Sequence, residues 1–450
     1  MLAVLWRSGT PLLAVVIGFY LLSPYTADHL VPRVLVDGWP NFDGSEALRP
    51  WFILPDIVLA VALLRTRGRI DRRSLIVAGG IGLSALSALW AGWQDQAIPT
   101  TAALFWGTVP LRAMGMILLV AGSVRDIPYD RTLRAVVQMF GLAAVLLSVE
   151  ILAVVALKAA ARAMDLDLGS LWAGFTLPRP TLPGWNNNVA ASAIALGSVT
   201  LLLVPAVHRP RPWLVALACA LAAAALLATQ YRTGILIFAG GLSLASGRWA
   251  FARIVATRRA VGAAAAGLAV GVTVLIVSVS LASVAVPRMT TLNPLAYALS
   301  IASGSPMPDP DISEGPDDPS TTSRSALVQA SLTVWLRQPI IGSGLGAWEF
   351  TRPTEPSFLQ RAITPHNGPA WALANLGIVG LATLYLVPFG IAMARRNWIP
   401  AILVGFVAIL EVSTVGIAHA RYGVMIWTLV WIIALGTRQA WATRPAASED

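Results

Sequence analysis

Apolar residues in this chain come in long runs, and polar residues are gathered between them. A helix that crosses a bilayer needs about 20 mostly apolar residues. Twelve runs approach that length: 4–22, 48–64, 74–93, 101–122, 132–157, 187–207, 213–229, 233–246, 261–286, 368–393, 399–418 and 422–435. The pattern predicts an all-α, polytopic transmembrane helical bundle of about twelve spans. The run 233–246 is short, and 48–64 carries Pro50 and Pro55. One block breaks the rhythm. Residues 287–365 are largely polar, and a connection of that length (about 80 residues) is usually functional or disordered. Within it Ala326, Ala330, Val334 and Trp335 recur at helical spacing, so the block reads as one large, partly helical loop. Its segment 303–320, rich in Pro, Asp, Gly and Ser, reads as the least structured part. The organisation expected is nine spans in 1–286, the loop in 287–365, three spans in 366–437 and a short tail in 438–450.

Composition agrees with the pattern. Of 450 residues, 56% are hydrophobic and only 12% charged, where soluble domains carry about 25% charged residues. Mean hydropathy is +0.70. In such a chain the net charge of +10 is no sign of nucleic-acid binding, and its placement is more informative than its size. The run ending at Leu22 is followed by Ser23-Pro24-Tyr25 and reads as a retained span, not a cleaved signal. The single cysteine, Cys219, lies inside an apolar run and cannot form an internal disulfide.

Arginines mark every second connection. They occur at Arg7, at Arg65, Arg67, Arg69, Arg72 and Arg73, at Arg125 and Arg131, at Arg209 and Arg211, at Arg248, Arg253, Arg258 and Arg259, at Arg395 and Arg396, and at Arg438 and Arg444. The alternate short loops are poor in arginine and hold Asp28, Asp37, Asp43, Glu46 and Asp95. Arginine excess marks the cytoplasmic side. Both termini are therefore expected in the cytoplasm and the large loop outside.

On that topology, several outer helix ends carry polar groups that lipid would not select. Asn186-Asn187-Asn188 opens the sixth span, and Tyr231-Arg232-Thr233-Gly234 opens the eighth. The loop holds Arg324 and the turn Gly342-Ser343-Gly344-Leu345-Gly346, and His366-Asn367 opens the tenth span. Each has a plain alternative. The asparagines suit a helix cap, Arg232 could snorkel to the interface, Arg324 could face solvent, and His366 could cap a helix. The glycine turn has no preceding strand and no following Lys-Ser/Thr, so it is not read as a nucleotide loop. It suits a tight turn with close backbone approach. Deeper in the spans lie Arg112 and Glu150, for which an Arg112–Glu150 ion pair is the simplest expectation. Glu411, His419 and Arg421 form a further polar cluster. Asp309, Asp311, Asp317 and Asp318 sit among prolines without ligand-like order, and no metal site is expected.

Together, Asn186–Asn188, Tyr231-Arg232-Thr233-Gly234, Arg324 with Trp335, Pro339 and Gly342-x-Gly344-x-Gly346, and His366-Asn367 followed by Leu373, Asn375, Leu376, Gly377 and Gly380 resemble the O-antigen ligase and polymerase superfamily of bacterial membrane glycosyltransferases. Residues 1 to 180 match only as generic spans, and Tyr231 stands where a serine is common in the family. The resemblance implies an enzyme of the bacterial inner membrane, with its active site facing the periplasm. The donor would be an undecaprenyl diphosphate-linked glycan and the acceptor lipid A-core or another glycan. The mechanism would be inverting and metal-independent, without a cofactor. Arg232 and Arg324 would bind the diphosphate and His366 would be the catalytic base, with Asn187, Asn188, Tyr231 and Asn367 in support. A polysaccharide polymerase is the nearest alternative. An O-linked protein glycosyltransferase and a transporter are more remote, since a transporter would show internal symmetry and a polar midplane site.

Overall fold

A computed structural model describes residues 12–22, 50–66, 70–95, 97–98, 100–166, 187–204, 212–255, 260–285, 321–353, 365–394, 398–414 and 420–436. The expectations about 303–320 and about 438–450 concern residues outside these. Among the described residues there is no strand, and the chain is all-α, as its apolar periodicity predicts.

Among the described residues nine helices precede the large loop: α1 Leu12–Leu22, α2 Pro50–Arg65, α3 Arg72–Gln94, α4 Thr100–Asp126, α5 Tyr129–Ala163, α6 Asn187–Leu203, α7 Pro212–Thr229, α8 Arg232–Val255 and α9 Ala260–Ala285. The loop contributes α10 Thr321–Trp335 and α11 Ala347–Thr351. Then come α12 Gly368–Leu381, a π-helical turn Ala382–Leu386, α13 Val387–Met393, α14 Trp398–Ser413 and α15 Ala420–Leu435. Each of the twelve predicted spans overlaps helix among the described residues. Six described stretches are long and apolar enough to cross a membrane unaided: Arg72–Gln94, Trp106–Asp126, Tyr129–Ala163, Arg232–Val255, Gly262–Ser283 and Gly368–Met393.

Two doubtful runs prove helical for identifiable reasons. In α2, Pro50 is the first residue, where the missing N–H has no intrahelical partner to lose. The eighth run, predicted to end at 246, continues to Val255. Arg248 does not break it, because its guanidinium reaches out and donates to the carbonyl of Leu203, the last residue of α6, at 3.1 Å.

The chain divides into two compact units, one from Met1–Met139 with Asp318–Asp450, the other from Phe140–Asp317. In the second unit, α8 and α9 approach through small residues: Ser243 donates to the Gly271 carbonyl at 2.6 Å, the close contact that glycine and serine allow between membrane helices.

In the first unit, Arg112 on α4 does not pair with Glu150, as the sequence suggested. Its Nε and Nη2 donate to the two carboxylate oxygens of Asp56 on α2, both at 2.8 Å, and the Tyr20 hydroxyl of α1 donates to the same carboxylate. Glu150 is exposed on the part of α5 that belongs to the other unit. A buried guanidinium takes the carboxylate that matches its planar fork, and Asp56 offers that match.

Candidate functional site

The tenth span is broken where the loop meets it. Gly377 has φ 66° and ψ −165°, a non-helical conformation inside α12. At that break the helix exchanges its own bonds for bonds to the loop. The amides of Ile378 and Val379 donate to the carbonyls of Pro339 and Ile340 at 3.0 and 3.1 Å. In return the amides of Ser343 and Gly344 donate to the carbonyls of Ala374 and Asn375 at 3.1 and 3.2 Å. A buried backbone has to satisfy its polar groups, and here two opened helical bonds are replaced by four to the loop. Gly342 (φ 81°) and Gly377 lie at the crossing, where a Cβ on Gly342 would run into the backbone of Asn375 and Leu376 and one on Gly377 into that of Gly342 and Ile340. The glycine turn therefore provides close backbone approach, which is what its composition suggested.

Asn375 secures the next few residues. Its Oδ1 accepts from the amides of Gly346 at 3.0 Å and Trp348 at 3.4 Å, and its Nδ2 donates to the Trp371 carbonyl at 3.0 Å. A helix N-terminus has amides without intrahelical partners, and this side chain takes two of them at the start of α11. Below lies a cluster of Leu327, Ala330, Val334, Ala347, Trp348, Ala374, Ile98 and Ala103. The buried face of α10 is thus Leu327, Ala330, Ser331 and Val334, with Ala326 and Trp335 half-buried at its margins.

α11 also brings in a carboxyl group that the sequence reading overlooked. Glu349 is buried, and neither of its carboxylate oxygens has a hydrogen-bond partner among the described residues. Burial pushes its pKa up to about 8, against the opposing pull of the Arg352 charge. The Trp371 indole N–H favours the ionised form from nearby without closing a hydrogen bond. The Arg352 guanidinium donates instead to the carbonyls of Trp348 and Glu349 and lies 5.8 Å from the Trp348 ring centroid. Only the acidic letter inside Gly346-Ala347-Trp348-Glu349 could have signalled this group.

His366 stands at the mouth of α12. It is half-buried, and its φ of 49° puts it in the left-handed region. Asn367 caps the helix, accepting from the Ala370 amide at 2.9 Å. Arg324 belongs to the first turn of α10, and its side chain lies outside the described residues. All of these belong to the first unit.

Arg232 belongs to the second unit. A two-residue reversal, Gln230-Tyr231, joins α7 to α8, with Gln230 left-handed at φ 56°. Tyr231 is buried behind the turn and Arg232, the first residue of α8, is exposed. Asn187 opens α6, and Asn188 is half-buried and accepts from the Ser192 hydroxyl at 2.8 Å through its carbonyl. Asn186, His419 and the Arg421 side chain lie outside the described residues.

The three ionisable candidates share one feature: each sits at a helix N-terminus, Arg232 on α8, Arg324 on α10 and His366 before α12. A cation there is unfavourable for the helix itself, because that end already carries about half a positive charge. The combination suits an anionic ligand. Among the described residues no group of three or more His, Cys, Asp or Glu could hold a metal ion.

No curated protein matches the chain. A family model described as O-antigen ligase matches residues 217–385, from within α7 to the π turn. Over that segment the chain is similar to the O-antigen ligase family.

Proposed function

We propose that the protein transfers a glycan from undecaprenyl diphosphate to an acceptor hydroxyl on the outer side of the membrane, and that its acceptor is lipid A-core. The observation that carries this reading is the extent of the family match. Residues 217–385 begin before Arg232 and end beyond His366, so all three ionisable candidates fall inside it.

The chemistry follows from those groups. The acceptor oxygen attacks the anomeric carbon, and the bond from that carbon to the diphosphate oxygen breaks. Attack from the face opposite the leaving group inverts the anomeric configuration. The acceptor proton passes to His366, whose ordinary pKa of about 6.5 suits a base near neutrality. Negative charge grows on the departing diphosphate. Arg232 and Arg324, with the helix N-termini that bear them, stabilise that charge without requiring a metal. The Arg pattern of the short loops puts these groups on the periplasmic side of the inner membrane, with both termini in the cytoplasm.

The test is reconstitution in liposomes with lipid-linked glycan, lipid A-core and a chelator. Glycan on lipid A-core, reduced to a small residual rate in His366→Ala and Arg324→Ala, is the expected result. Longer lipid-linked glycan without that product would reassign the protein as a polymerase. Full activity of His366→Ala would remove the base.

A further inference from the structure

Behind His366 lies a polar pair that the transfer chemistry does not use. Glu411, in the last turn of α14, is fully buried and accepts a hydrogen bond from the Tyr385 hydroxyl at 2.8 Å. Tyr385 lies in the π-helical turn that follows α12. A π turn takes in an extra residue and so resets which side chains face a neighbouring helix, and such turns are frequent at functional sites. Here it presents a tyrosine to α14.

The pair fills the space beneath the start of α12. Gly368 rests against both groups: a Cβ at that position would run into the Tyr385 hydroxyl and the Glu411 carboxylate. The backbone on either side of Gly368 is tied to the same end of α14. The Gly368 amide donates to the Thr414 carbonyl at 3.1 Å, and Asn367 Nδ2 donates to the Val412 carbonyl at 3.2 Å. Glu411 thus sits next to one of the two anchor points and directly under the residue they hold.

His366 is the next residue along, in a conformation that needs such support. A left-handed backbone costs a residue with a Cβ about 1–2 kcal/mol, and it persists where the surroundings over-determine it. Stability alone does not call for a buried acid here, because apolar residues of similar volume commonly do as well or better than buried charged groups. A hydrogen-bonded pair differs in fixing one geometry.

We propose that Tyr385 and Glu411 are positioning residues that hold His366 in its left-handed turn and so aim its imidazole at the acceptor hydroxyl. This rests on the reading of His366 as the base. Tyr422, fully buried and within electrostatic reach of Tyr385, belongs to the same cluster.

The experiment compares Tyr385→Phe, Glu411→Leu and Glu411→Gln in the liposome assay, each with His366 present and with His366→Ala. With His366 present, Tyr385→Phe and Glu411→Leu lower kcat at least tenfold and leave donor KM within twofold. Glu411→Gln, which keeps an oxygen for Tyr385, recovers most of the loss. In the His366→Ala background the same substitutions have no further effect, because residues that act through one another are not additive. Losses that multiply across both backgrounds, or that fall on donor KM, overturn the proposal. Tyr385→Phe removes a single oxygen and keeps the test open should Glu411→Leu not fold.

A second readout does not depend on transfer. The chain has four histidines, and carbon-13 labelling at Cε1 gives each a resonance, with that of His366 identified by its loss in His366→Ala. Tyr385→Phe shifts or broadens the His366 signal and leaves the other three in place. An unchanged His366 signal overturns the positioning role. A shifted signal in a protein that transfers no glycan supports the positioning role and rejects the transfer reading alone.

Discussion

Asp56 is half-buried and Glu349 fully buried in the same unit, each with an arginine at hand, and the two are handled in opposite ways. Asp56 meets the Arg112 fork with two bonds of 2.8 Å and takes a third from Tyr20. Glu349 is buried with neither oxygen hydrogen-bonded among the described residues, and its arginine, Arg352, turns to backbone carbonyls instead. The Asp56 carboxylate, bonded by Tyr20 and Arg112, fastens α1, α2 and α4 together. The acid in the large loop keeps its proton into the neutral range, because burial raises its pKa to about 8.

The sharpest way to break that contrast is to open the closed pair. Arg112→Leu leaves Asp56 charged and uncompensated, and breaking a buried pair on one side costs about 3–5 kcal/mol. The variant is expected to lose most of its folded yield and melt far below the native protein in detergent. Adding Asp56→Leu restores most of the loss, because the stranded charge is gone. Equal damage in the single and double variants would show that the pair is not simply a fastening.

How much of this was legible in the sequence depends on what each residue's partner is. The spans were legible because a run of apolar residues needs no partner to declare itself, and α12 begins two residues after His366, as its pattern predicted. The partner of Arg112 was not, because the choice between Asp56 and Glu150 depends on which helices adjoin. The break at Gly377 was hidden for the same reason. Gly377 reads as one small residue among several, and only the loop at Pro339–Gly344 makes it leave the helix. Glu349 and Tyr385 are single polar letters within apolar surroundings, with no periodicity to set them apart. The positions of Arg232, Arg324 and His366 at helix starts were readable from the runs that follow them, whereas their task came only from resemblance.

A second prediction concerns Glu349. Its folded pKa of about 8 exceeds that of an unfolded carboxyl, about 4.3. Below the lower value both states hold the proton and stability is at its fullest. As pH rises toward about 8 the unfolded chain releases its proton while the folded one keeps it, so stability falls. Between pH 5 and pH 7 the loss is on the order of 2–3 kcal/mol. Glu349→Gln has no proton to release and should melt with a flatter pH profile, close to the native protein at pH 5 and above it at pH 7. A slope identical to that of the native protein would mean that Glu349 does not titrate in this range.

The smallest expected effect tests whether the closed cluster is a fastening in all its parts. Tyr20→Phe keeps the ring, which is buried, and removes the hydroxyl that donates to Asp56. The carboxylate retains both bonds to Arg112, so no charge is stranded and the cost is that of one hydrogen bond, about 1 kcal/mol. Neither Tyr20 nor Asp56 lies in the segment that matches the ligase family, so glycan transfer per folded molecule should be unchanged. A modest fall in melting temperature with native turnover is the expected pair of readings. Lost turnover with an undiminished melting temperature would instead give the Tyr20–Asp56–Arg112 cluster a part in the reaction and remove the distinction between the two acids.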